Sequence, residues 1–508
     1  MYSSVKTLSL TGLVGTEINV EADISDGLPV FEMVGFLGGE VKEARERVRT
    51  ALKNSGILLP PKRITVNLSP ADIRKNGTSY DLAVAVSLMK LLEEIPSDSG
   101  DGMTVIGELG LSGEVHAVDG VLPMVIQAKE SGVGKCMVPR DNLGEAAAVG
   151  GVEVVGVSSI EEVKAYFNHM FDGYTPKDCT VKSERRGYDV DFSEVNGQET
   201  CKRAMEIAAS GMHNILLIGP PGAGKTMLAR RLPTILPAPD RTEQMEITKI
   251  YSVAGLLSSG QGLIDTRPFV NPHHTISQVA LAGGGSIPKP GACTLAHRGV
   301  LFLDELPEFS HNALEILRQP LEDREINIQR AQSSCTYPAD FLLCAAMNPC
   351  KCGYYPDRRR CQCTDADVKK YLGRISGPLL DRIDICVEAS EVDYESLKGE
   401  RRSESSEDIR KRVESAVAIQ RERYKGTELR FNADLGVRDI DRYCHLGKEE
   451  EKLMHKAFED MHLSARAFHR MIRVARTIAD LDGESDINTK HLAEAIGFRS
   501  VDRRYWNG

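Results

Sequence analysis

Three short segments of the chain carry residues whose types and spacing suit phosphate chemistry. The first is a glycine-rich loop that follows the apolar run Ile215–Ile218 and reads Gly219-Pro220-Pro221-Gly222-Ala223-Gly224-Lys225-Thr226. Its glycines let consecutive backbone N–H groups turn towards a phosphate, and a helix starting near Lys225 directs its positive dipole end there. The Lys225 ammonium suits the β- and γ-phosphates, and the Thr226 hydroxyl suits Mg²⁺. The loop therefore predicts binding of ATP or a similar nucleoside triphosphate.

Two further apolar runs end in side chains that suit hydrolysis. Residues 299–303 precede Asp304 and Glu305, and residues 341–347 precede Asn348. Buried parallel strands deliver such residues to their carboxyl-terminal edge. There Asp304 would hold Mg²⁺ through water, Glu305 would orient and deprotonate the attacking water, and Asn348 would help to position it. The pattern predicts nucleotide hydrolysis, although Asn348 taken alone is more typical of a turn.

These residues need a scaffold of strands and helices, and the composition provides for several domains. The chain has 508 residues, of which 41% are hydrophobic and 27% charged, as in an ordinary globular protein. Such a length predicts about two to four domains. No stretch approaches the ~20 apolar residues of a membrane span and no signal-peptide pattern is present, so we expect a cytoplasmic protein without membrane contact. The net charge of −10 confines any DNA contact to a local groove or pore.

Shifts in composition divide the chain into three blocks. Residues 172–193 and 400–408 are polar and aperiodic, and we interpret both segments as linkers or domain edges. The first block alternates strand-like and helix-like runs, the middle block carries the nucleotide-binding residues, and the third is mostly helical. The predicted boundaries are a first domain at 1–170, a linker at 171–193, a nucleotide-binding domain at 194–398 and a helical domain at 399–508.

The middle block resembles a known family. Residues 375–384, Ile-Ser-Gly-Pro-Leu-Leu-Asp-Arg-Ile-Asp, are similar to the AAA+ module of magnesium-chelatase-like ATPases. The resemblance runs the length of the chain, and four phrases resemble the ComM/YifB group in particular, at residues 267–269, 272–277, 295–297 and 346–350. It implies an α/β P-loop domain with a parallel sheet, followed by a helical lid. It also implies a homohexameric motor acting on single-stranded or branched DNA, as in branch migration during transformation.

The resemblance also assigns two arginines. Arg382 is placed as the arginine finger that reaches the γ-phosphate of a neighbouring subunit, where a guanidinium stabilises charge on the transferred group. A local salt bridge from Arg382 to Asp381 or Asp384 is the alternative. Arg466 is placed as the second sensor, with Arg470 in reserve; a solvated basic helix face is the alternative there.

Two insertions suggest where DNA would be held. Residues 324–337 alternate around a polar tip and predict a β-hairpin, like those that point into the channel of related helicases, with Arg330 placed for a phosphate or simply solvated. Residues 248–289 are glycine-rich and resemble the second insertion of this clade, with Lys289 a candidate DNA contact. His273 and His274 lack the spacing of a complete metal site, so we favour structural or DNA-proximal roles for them.

Twelve cysteines in a chain of this type argue against a disulfide scaffold. Cys350, Cys352, Cys361 and Cys363 form one group that can close a tetrahedral Zn²⁺ site, although the single-residue spacing within each pair is unusual. Free or redox-paired thiols are the alternative. With zinc bound, this loop would present three consecutive arginines, Arg358, Arg359 and Arg360, to DNA or to a second subunit.

The first block resembles a different family. Residues 75–83 and 107–115 are similar to the catalytic domain of Lon proteases, an α+β fold, with Ser79 at the place of the nucleophile. A serine nucleophile needs a base within hydrogen-bonding reach, and the lysine position of that family falls on Leu122. We therefore predict a non-proteolytic platform.

Three classes of function fit these features. A DNA translocase accounts for the hairpin, the cysteine loop and the Lon-like block together, and is favoured. A chelatase subunit shares the ATPase core but does not call for the Lon-like block or the four cysteines. A regulatory ATPase that remodels a protein partner is the third class. DNA-stimulated hydrolysis distinguishes the first from the others.

Overall fold

The computed structural model describes residues 2–178, 188–285, 288–330, 333–391, 403–461 and 463–506. The chain forms two compact units. The first contains Met1–Arg185, Arg241–Ile264 and Pro288–Pro290; the second contains Arg186–Asp240, Asp265–Ile287 and Gly291–Gly508. Within the described ranges, no helix combines the length and apolar composition needed to cross a membrane.

Alternating burial builds the sheet of the first unit. In its second strand Ile18, Val20 and Ala22 are buried and the residues between them less so, because successive side chains of a strand point to opposite faces. Its seven strands lie in the order Val30–Val34, Arg63–Ser69, Val14–Ser25, Tyr2–Thr11, Met103–Val105, Lys135–Pro139 and Glu153–Val157. Its helices are Gly39–Asn54, Asp81–Leu91, Val121–Glu130, Leu143–Ala147, Ile160–Phe167 and Arg241–Val253. The mixed sheet with helices confirms the α+β character predicted for this block.

The helix Arg241–Val253 belongs to the first unit, although it lies in the middle block of the sequence. Its Ser252 carbonyl accepts a hydrogen bond of 3.0 Å from the Gly120 N–H, and its Ser252 hydroxyl donates to the buried Glu145 carboxylate. A polar contact with a buried carboxylate fixes the position of the helix because an unpaired partner there would be costly. Part of the chain between the glycine loop and Asp304, residues Arg241–Ile264, thus belongs to the same unit as the Lon-like block.

A parallel sheet forms the centre of the second unit. Its five strands lie in the order Phe269–Val270, Val300–Leu303, Leu342–Met347, Ile215–Ile218 and Ile385–Glu388, and every neighbouring pair is parallel. All four residues of Ile215–Ile218 are buried, as expected for a strand covered on both faces. Because the strands are parallel, their carboxyl ends, and the polar residues that follow them, share one edge of the sheet.

Helices cover this sheet and form most of the C-terminal region. Those of the middle block are Glu199–Gly211, Lys225–Ile235, Gln278–Ala282, Ala292–Leu295, His311–Ile316, Arg318–Asp323, Asp365–Leu372 and Gly377–Leu380. The C-terminal helices are Ser406–Arg423, Val437–Tyr443, Lys448–Met461, Ala465–Leu481 and Thr489–Tyr505. One hydrophobic core joins the sheet to these helices, with Val413 and Ile478 buried beside Ile215. The predicted α/β class, parallel sheet and helical C-terminal region are confirmed.

The hairpin predicted near residue 330 is present, with strands Glu325–Arg330 and Ser333–Pro338 paired antiparallel. The predicted linkers differ from the structure at their ends. Phe192 is fully buried in the second unit, Ser406 begins a helix, and the Phe192 N–H donates a hydrogen bond of 2.8 Å to the Ser406 hydroxyl. The packing around Phe192 thus makes one end of each predicted linker part of the second unit. Residues 179–187 and 392–402 lie outside the described ranges.

Candidate active site

The glycine loop holds the Lys225 ammonium at its centre. Lys225 Nζ donates to the Gly219 carbonyl at 2.7 Å, to the Pro220 carbonyl at 2.9 Å and to Asn348 Oδ1 at 3.0 Å. Gly224 has φ +80° directly before the helix Lys225–Ile235, a conformation that glycine adopts without a steric cost. Burial lowers the pKa of Lys225, while the charges of Asp304 and Glu305 act in the opposite direction. A phosphate oxygen can replace these oxygen partners of the ammonium.

Thr226 and Asp304 meet at the same edge of the sheet. Thr226 Oγ1 donates to Asp304 Oδ2 at 2.6 Å, and the Glu305 N–H donates to Asp304 Oδ1 at 2.9 Å. A hydroxyl and a carboxylate are the ligands that Mg²⁺ takes beside nucleotide phosphates. The residues present therefore fit a magnesium ion between this pair and a bound triphosphate.

Glu305 lies beside a histidine that the sequence did not connect with hydrolysis. His274 Nδ1 is 3.6 Å from Glu305 Oε2, and the Glu305 side chain is 58% exposed, so a substrate water can reach it. The ring of His274 lies 4.1 Å from that of His273 and contacts the edge of Phe309. His274 follows the strand Phe269–Val270, which neighbours Val300–Leu303. His274 is close to Glu305 only because of the order of the strands in the sheet. A strand of two residues has no clear periodicity in a sequence, so sequence analysis does not predict this contact.

The four cysteines predicted to bind zinc come together in a segment that we call the cysteine knuckle, residues 350–363. Their sulfur atoms all lie within 4.8 Å of one another. The Sγ–Sγ distances from Cys350 are 3.3 Å to Cys352 and 3.7 Å to Cys361, and Cys352 lies 3.5 Å from Cys361. Tetrahedral Zn²⁺ with Zn–S bonds of ~2.3 Å places its sulfurs ~3.8 Å apart. These four thiols therefore fit zinc, and their separations are far from the ~2.05 Å of a disulfide.

The thiols of the knuckle differ in acidity: burial raises the pKa of Cys361 to about 12, and the pKa of Cys363 is also raised. Burial acts to raise the pKa of Cys352, but hydrogen bonds from the Tyr354 backbone, Cys350 and Cys361 lower it to about 6. A thiolate, and not a thiol, is the form that binds a metal. This residue is consequently ready to act as a ligand near neutral pH.

The knuckle packs directly against the glycine loop. Gly353 has φ +90°, and a Cβ atom added there would lie 2.4 Å from Pro221 Cδ. Such a distance is far inside van der Waals contact, so only glycine permits the approach. The two predicted sites, for zinc and for nucleotide, are therefore in physical contact.

The three consecutive arginines of the knuckle have different surroundings. Arg358 pairs with Asp365, and Arg360 pairs with Glu391 at 2.7 Å and lies over the ring of Tyr354 at 4.0 Å. Arg359 is exposed and, within the described part of the chain, forms no ion pair. All three side chains are at the surface, where water and salt screen an ion pair, so its partners are readily exchanged.

The two arginines assigned by resemblance share a partner. Arg382 donates to Glu322 and, at 2.6 Å, to the Pro378 carbonyl, and its side chain is only 8% exposed. Arg466 is exposed and lies 3.9 Å from the same Glu322 carboxylate. The sequence suggested Asp381 or Asp384 as local partners for Arg382, but Glu322 takes that role. Asp384 lies instead 3.4 Å from Arg470, the residue held in reserve for the second sensor.

Two further predicted DNA contacts, Arg330 and Lys289, lie on short β-strands. The backbone of Arg330 ends the first hairpin strand and pairs with Ser333, and residues 331 and 332 at the tip lie outside the described ranges. Lys289 is exposed in the first unit, on the short strand Lys289–Pro290.

The Lon-like block carries no base for Ser79 at the family's lysine position. Leu122 is fully buried there, and its N–H donates to Glu145 Oε2 at 3.1 Å. An aliphatic side chain cannot accept a proton from a serine, so Leu122 cannot act as a base for Ser79.

Comparisons with known proteins cover the whole chain. Residues 191–397 match the family "Magnesium chelatase, subunit ChlI", residues 20–142 match "Subunit ChlI of Mg-chelatase", and residues 403–499 match "Magnesium chelatase, subunit ChlI C-terminal". The chain is 40% identical to the uncharacterized protein YifB of Escherichia coli K12 over 504 residues, which are 99% of this chain and 97% of that protein. It is 38% identical to the competence protein ComM of Haemophilus influenzae over 499 residues, 97% and 96% of the two chains.

A more distant similarity concerns the N-terminal region. Lon protease 2 of Bacillus subtilis is 32% identical over 123 residues, which are 24% of this chain and 22% of that protein. The predicted Lon-like character of this region is confirmed.

Proposed function

Because the chain belongs to the ComM/YifB group of magnesium-chelatase-like AAA+ ATPases, we propose that this ATPase works as a ring of identical subunits, a homohexamer, and moves along DNA. One relative in the group is named a competence protein, and the proposed process is accordingly recombination or natural transformation. The substrate would be single-stranded or branched DNA.

The contact between Gly353 and Pro221 is the observation that carries this proposal. A motor needs a connection between the nucleotide and the surface that grips its track. Here the glycine loop packs on the cysteine knuckle, and the knuckle presents Arg358, Arg359 and Arg360 at its surface. Arg359 is available to a phosphate at once, and the surface partners of its neighbours exchange at little cost. A structural change at the bound triphosphate can thus be transmitted to a DNA contact through the packing of Gly353 on Pro221.

Each residue of the site has a role in the proposed hydrolysis. Mg²⁺ bound by Thr226 and Asp304 would neutralise the phosphates, and Lys225 would bind the β- and γ-phosphate oxygens. Asn348 would hold the attacking water and Glu305 would accept its proton as the oxygen bonds to the γ-phosphorus. The bond to the β–γ bridging oxygen then breaks, which releases ADP and phosphate. Arg382 of a second copy would stabilise charge on the transferred group.

Zinc has a structural role in this proposal. Four thiolates would close its coordination shell, so no open position remains for a substrate. The ion would fix the loop that carries the arginines and would hold Gly353 against Pro221.

The test is ATP hydrolysis by the purified chain with no DNA, single-stranded DNA, duplex or a branched junction, each over a series of salt concentrations. We expect stimulation by DNA that weakens with salt, because contacts with phosphates release counterions. Arg359→Ala should reduce the stimulation and leave basal hydrolysis unchanged; Arg438→Ala, in the C-terminal helical region, is the matched surface control. Turnover that no DNA changes, in zinc-loaded rings, would favour a chelatase-like or protein-remodelling ATPase instead.

A further inference from the structure

Glu322 joins the two arginines that the resemblance assigns to the nucleotide, Arg382 as the arginine finger and Arg466 as the second sensor. It lies on the helix Arg318–Asp323, 60 residues before Arg382 in the chain. One carboxylate oxygen accepts a hydrogen bond from Arg382 Nη2, and the other lies 3.9 Å from Arg466 Nη2. A single carboxylate thus holds two guanidinium groups at one place on the protein surface.

The burial of the three side chains shows which way this cluster faces. Arg382 is 8% exposed, whereas Glu322 is 54% and Arg466 is 62% exposed. The carboxylate therefore caps the buried arginine from the solvent side. A phosphate that takes the place of Glu322 would meet the same Nη2 atom of Arg382.

Arg382 also has unused hydrogen-bonding capacity. Its Nε is buried and has no acceptor among the described residues. A buried donor without a partner carries a desolvation cost, which an additional acceptor would remove. A transferring phosphoryl group offers three equatorial oxygens and more negative charge than one carboxylate, so it is the stronger partner for a pair of guanidinium groups.

The charges around Glu322 agree with a strong interaction in the single subunit. A hydrogen bond from Arg382 and its charge, followed by the charges of Arg466 and Arg318, hold the pKa of Glu322 below its ordinary value. The carboxylate is therefore ionised at neutral pH and neutralises the arginines until another anion replaces it.

We propose that Glu322 occupies the place of a γ-phosphate, which belongs to a nucleotide bound by a second copy of this chain. In the separate subunit Glu322 holds Arg382 and Arg466 together; on assembly it releases both to the neighbour's triphosphate. Glu322 is a positioning residue, and its negative charge opposes assembly. The inference rests on the proposed ring of ATPase subunits but not on any action on DNA.

The test is ATP hydrolysis as a function of protein concentration, without DNA, for the full-length chain. Glu322→Gln keeps the size of the side chain and removes its charge, so the concentration that gives half-maximal specific activity should fall about fivefold to tenfold. Sedimentation with a slowly hydrolysed ATP analogue should show the same shift. Glu315→Gln is the matched control, because Glu315 pairs with Arg318 at 2.7 Å and with Ser376 but with neither of the two arginines.

A second variant covers the case in which Glu322→Gln does not fold. Glu322→Asp keeps a negative charge beside the buried guanidinium but withdraws it by one methylene group. It should shift the half-maximal concentration in the same direction by about twofold to threefold. In a chain that also carries Arg382→Ala, Glu322→Gln and Glu322→Asp should each lower the half-maximal concentration by less than they do alone.

The outcomes separate the two proposals. An unchanged or raised half-maximal concentration in both folded Glu322 variants would overturn the role of Glu322, and so would an equal shift in Glu315→Gln. Hydrolysis by the unaltered chain that is independent of protein concentration would overturn the ring as well as this inference. Concentration-dependent hydrolysis that DNA does not stimulate would refute only the DNA motor and would leave the role of Glu322 open to the same test.

Discussion

Gly353 of the cysteine knuckle lies so close to Pro221 of the phosphate-binding loop that an added Cβ would be 2.4 Å from the proline Cδ. The two residues are 132 positions apart in the chain. A side chain on residue 353 would displace Pro221 or the knuckle, so the contact couples the geometry of the loop to that of the knuckle.

Gly353→Ala should therefore weaken ATP binding. The new methyl group would push Pro221 away or would tilt the knuckle, and φ +90° adds backbone strain for any residue other than glycine. We expect the Kd for ATP to rise about tenfold or more, measured by titration with a fluorescent analogue. Gly426→Ala is the control, since Gly426 has φ +80° with no atom within 4 Å of an added Cβ. An equal loss of affinity in both variants would mean that strain alone, and not the contact with Pro221, causes it.

The knuckle should bind one Zn²⁺ per chain, and the metal should support ATP binding. Cys361→Ser removes a ligand from the closed set, so we expect less bound zinc, a lower melting temperature and a weaker affinity for ATP. Metal content by elemental analysis and the melting curve of each preparation measure this. Cys136→Ser, in the first unit, is the control, because its thiol is buried and remote from the knuckle in sequence. Zinc content that Cys361→Ser leaves unchanged would contradict the assignment of the site.

Substitutions of Glu305 and Lys225 should affect ATP hydrolysis and ATP binding differently. Lys225→Ala removes the ammonium held by the loop, so binding of ATP should be lost. Glu305→Gln keeps the shape of the side chain but cannot accept a proton, so we expect ATP to bind with near-normal affinity and kcat to fall about 10²-fold to 10⁴-fold. Equilibrium binding and single-turnover hydrolysis measure the two effects, and the bound ATP should hold the assembled ring together. Normal turnover by Glu305→Gln would refute its role as the base.

Residues of the same site differ in whether the sequence alone predicts them. Asp304 is predicted because it directly follows a short apolar run, and Lys225 and Thr226 because they end a glycine-rich loop after another such run; parallel strands must end at a common edge. The sequence also predicts the hairpin near residue 330, since alternation is a local pattern. Glu322 and His274 are different, because their partners Arg382 and Glu305 lie far along the chain and the contacts depend on strand order and on short helices. For the same reason Asp381 and Asp384 were the expected partners of Arg382, and the docking of Arg241–Val253 on the Lon-like block leaves no local pattern.

His274 should hold Glu305 in the position from which it accepts a proton. The imidazole lies 3.6 Å from the Glu305 carboxylate, which is otherwise largely exposed and free to rotate. His274→Ala should lower kcat about threefold to tenfold with little change in KM, and His274→Gln should recover part of the loss through its amide donor. His273→Ala is the control: its imidazole stacks on His274 but bonds to Thr275. A rise in KM alone would show that His274 contributes to nucleotide binding and not to the position of Glu305.

Arg382 should act on the nucleotide of a neighbouring subunit, and mixed rings can show this. In the single chain Arg382 is paired with Glu322 and not with any residue of the loop 219–226. Arg382→Ala should bind ATP normally but should lose most of its assembly-dependent turnover, since an arginine finger contributes ~10³-fold or more to hydrolysis. Lys225→Ala subunits bind no ATP but still carry Arg382. When the two variants are combined, a Lys225→Ala subunit can offer its arginine to the ATP of an Arg382→Ala neighbour, so part of the activity should return. Mixtures that stay inactive, although native mass spectrometry finds both variants in one ring, would mean that Arg382 acts within its own subunit.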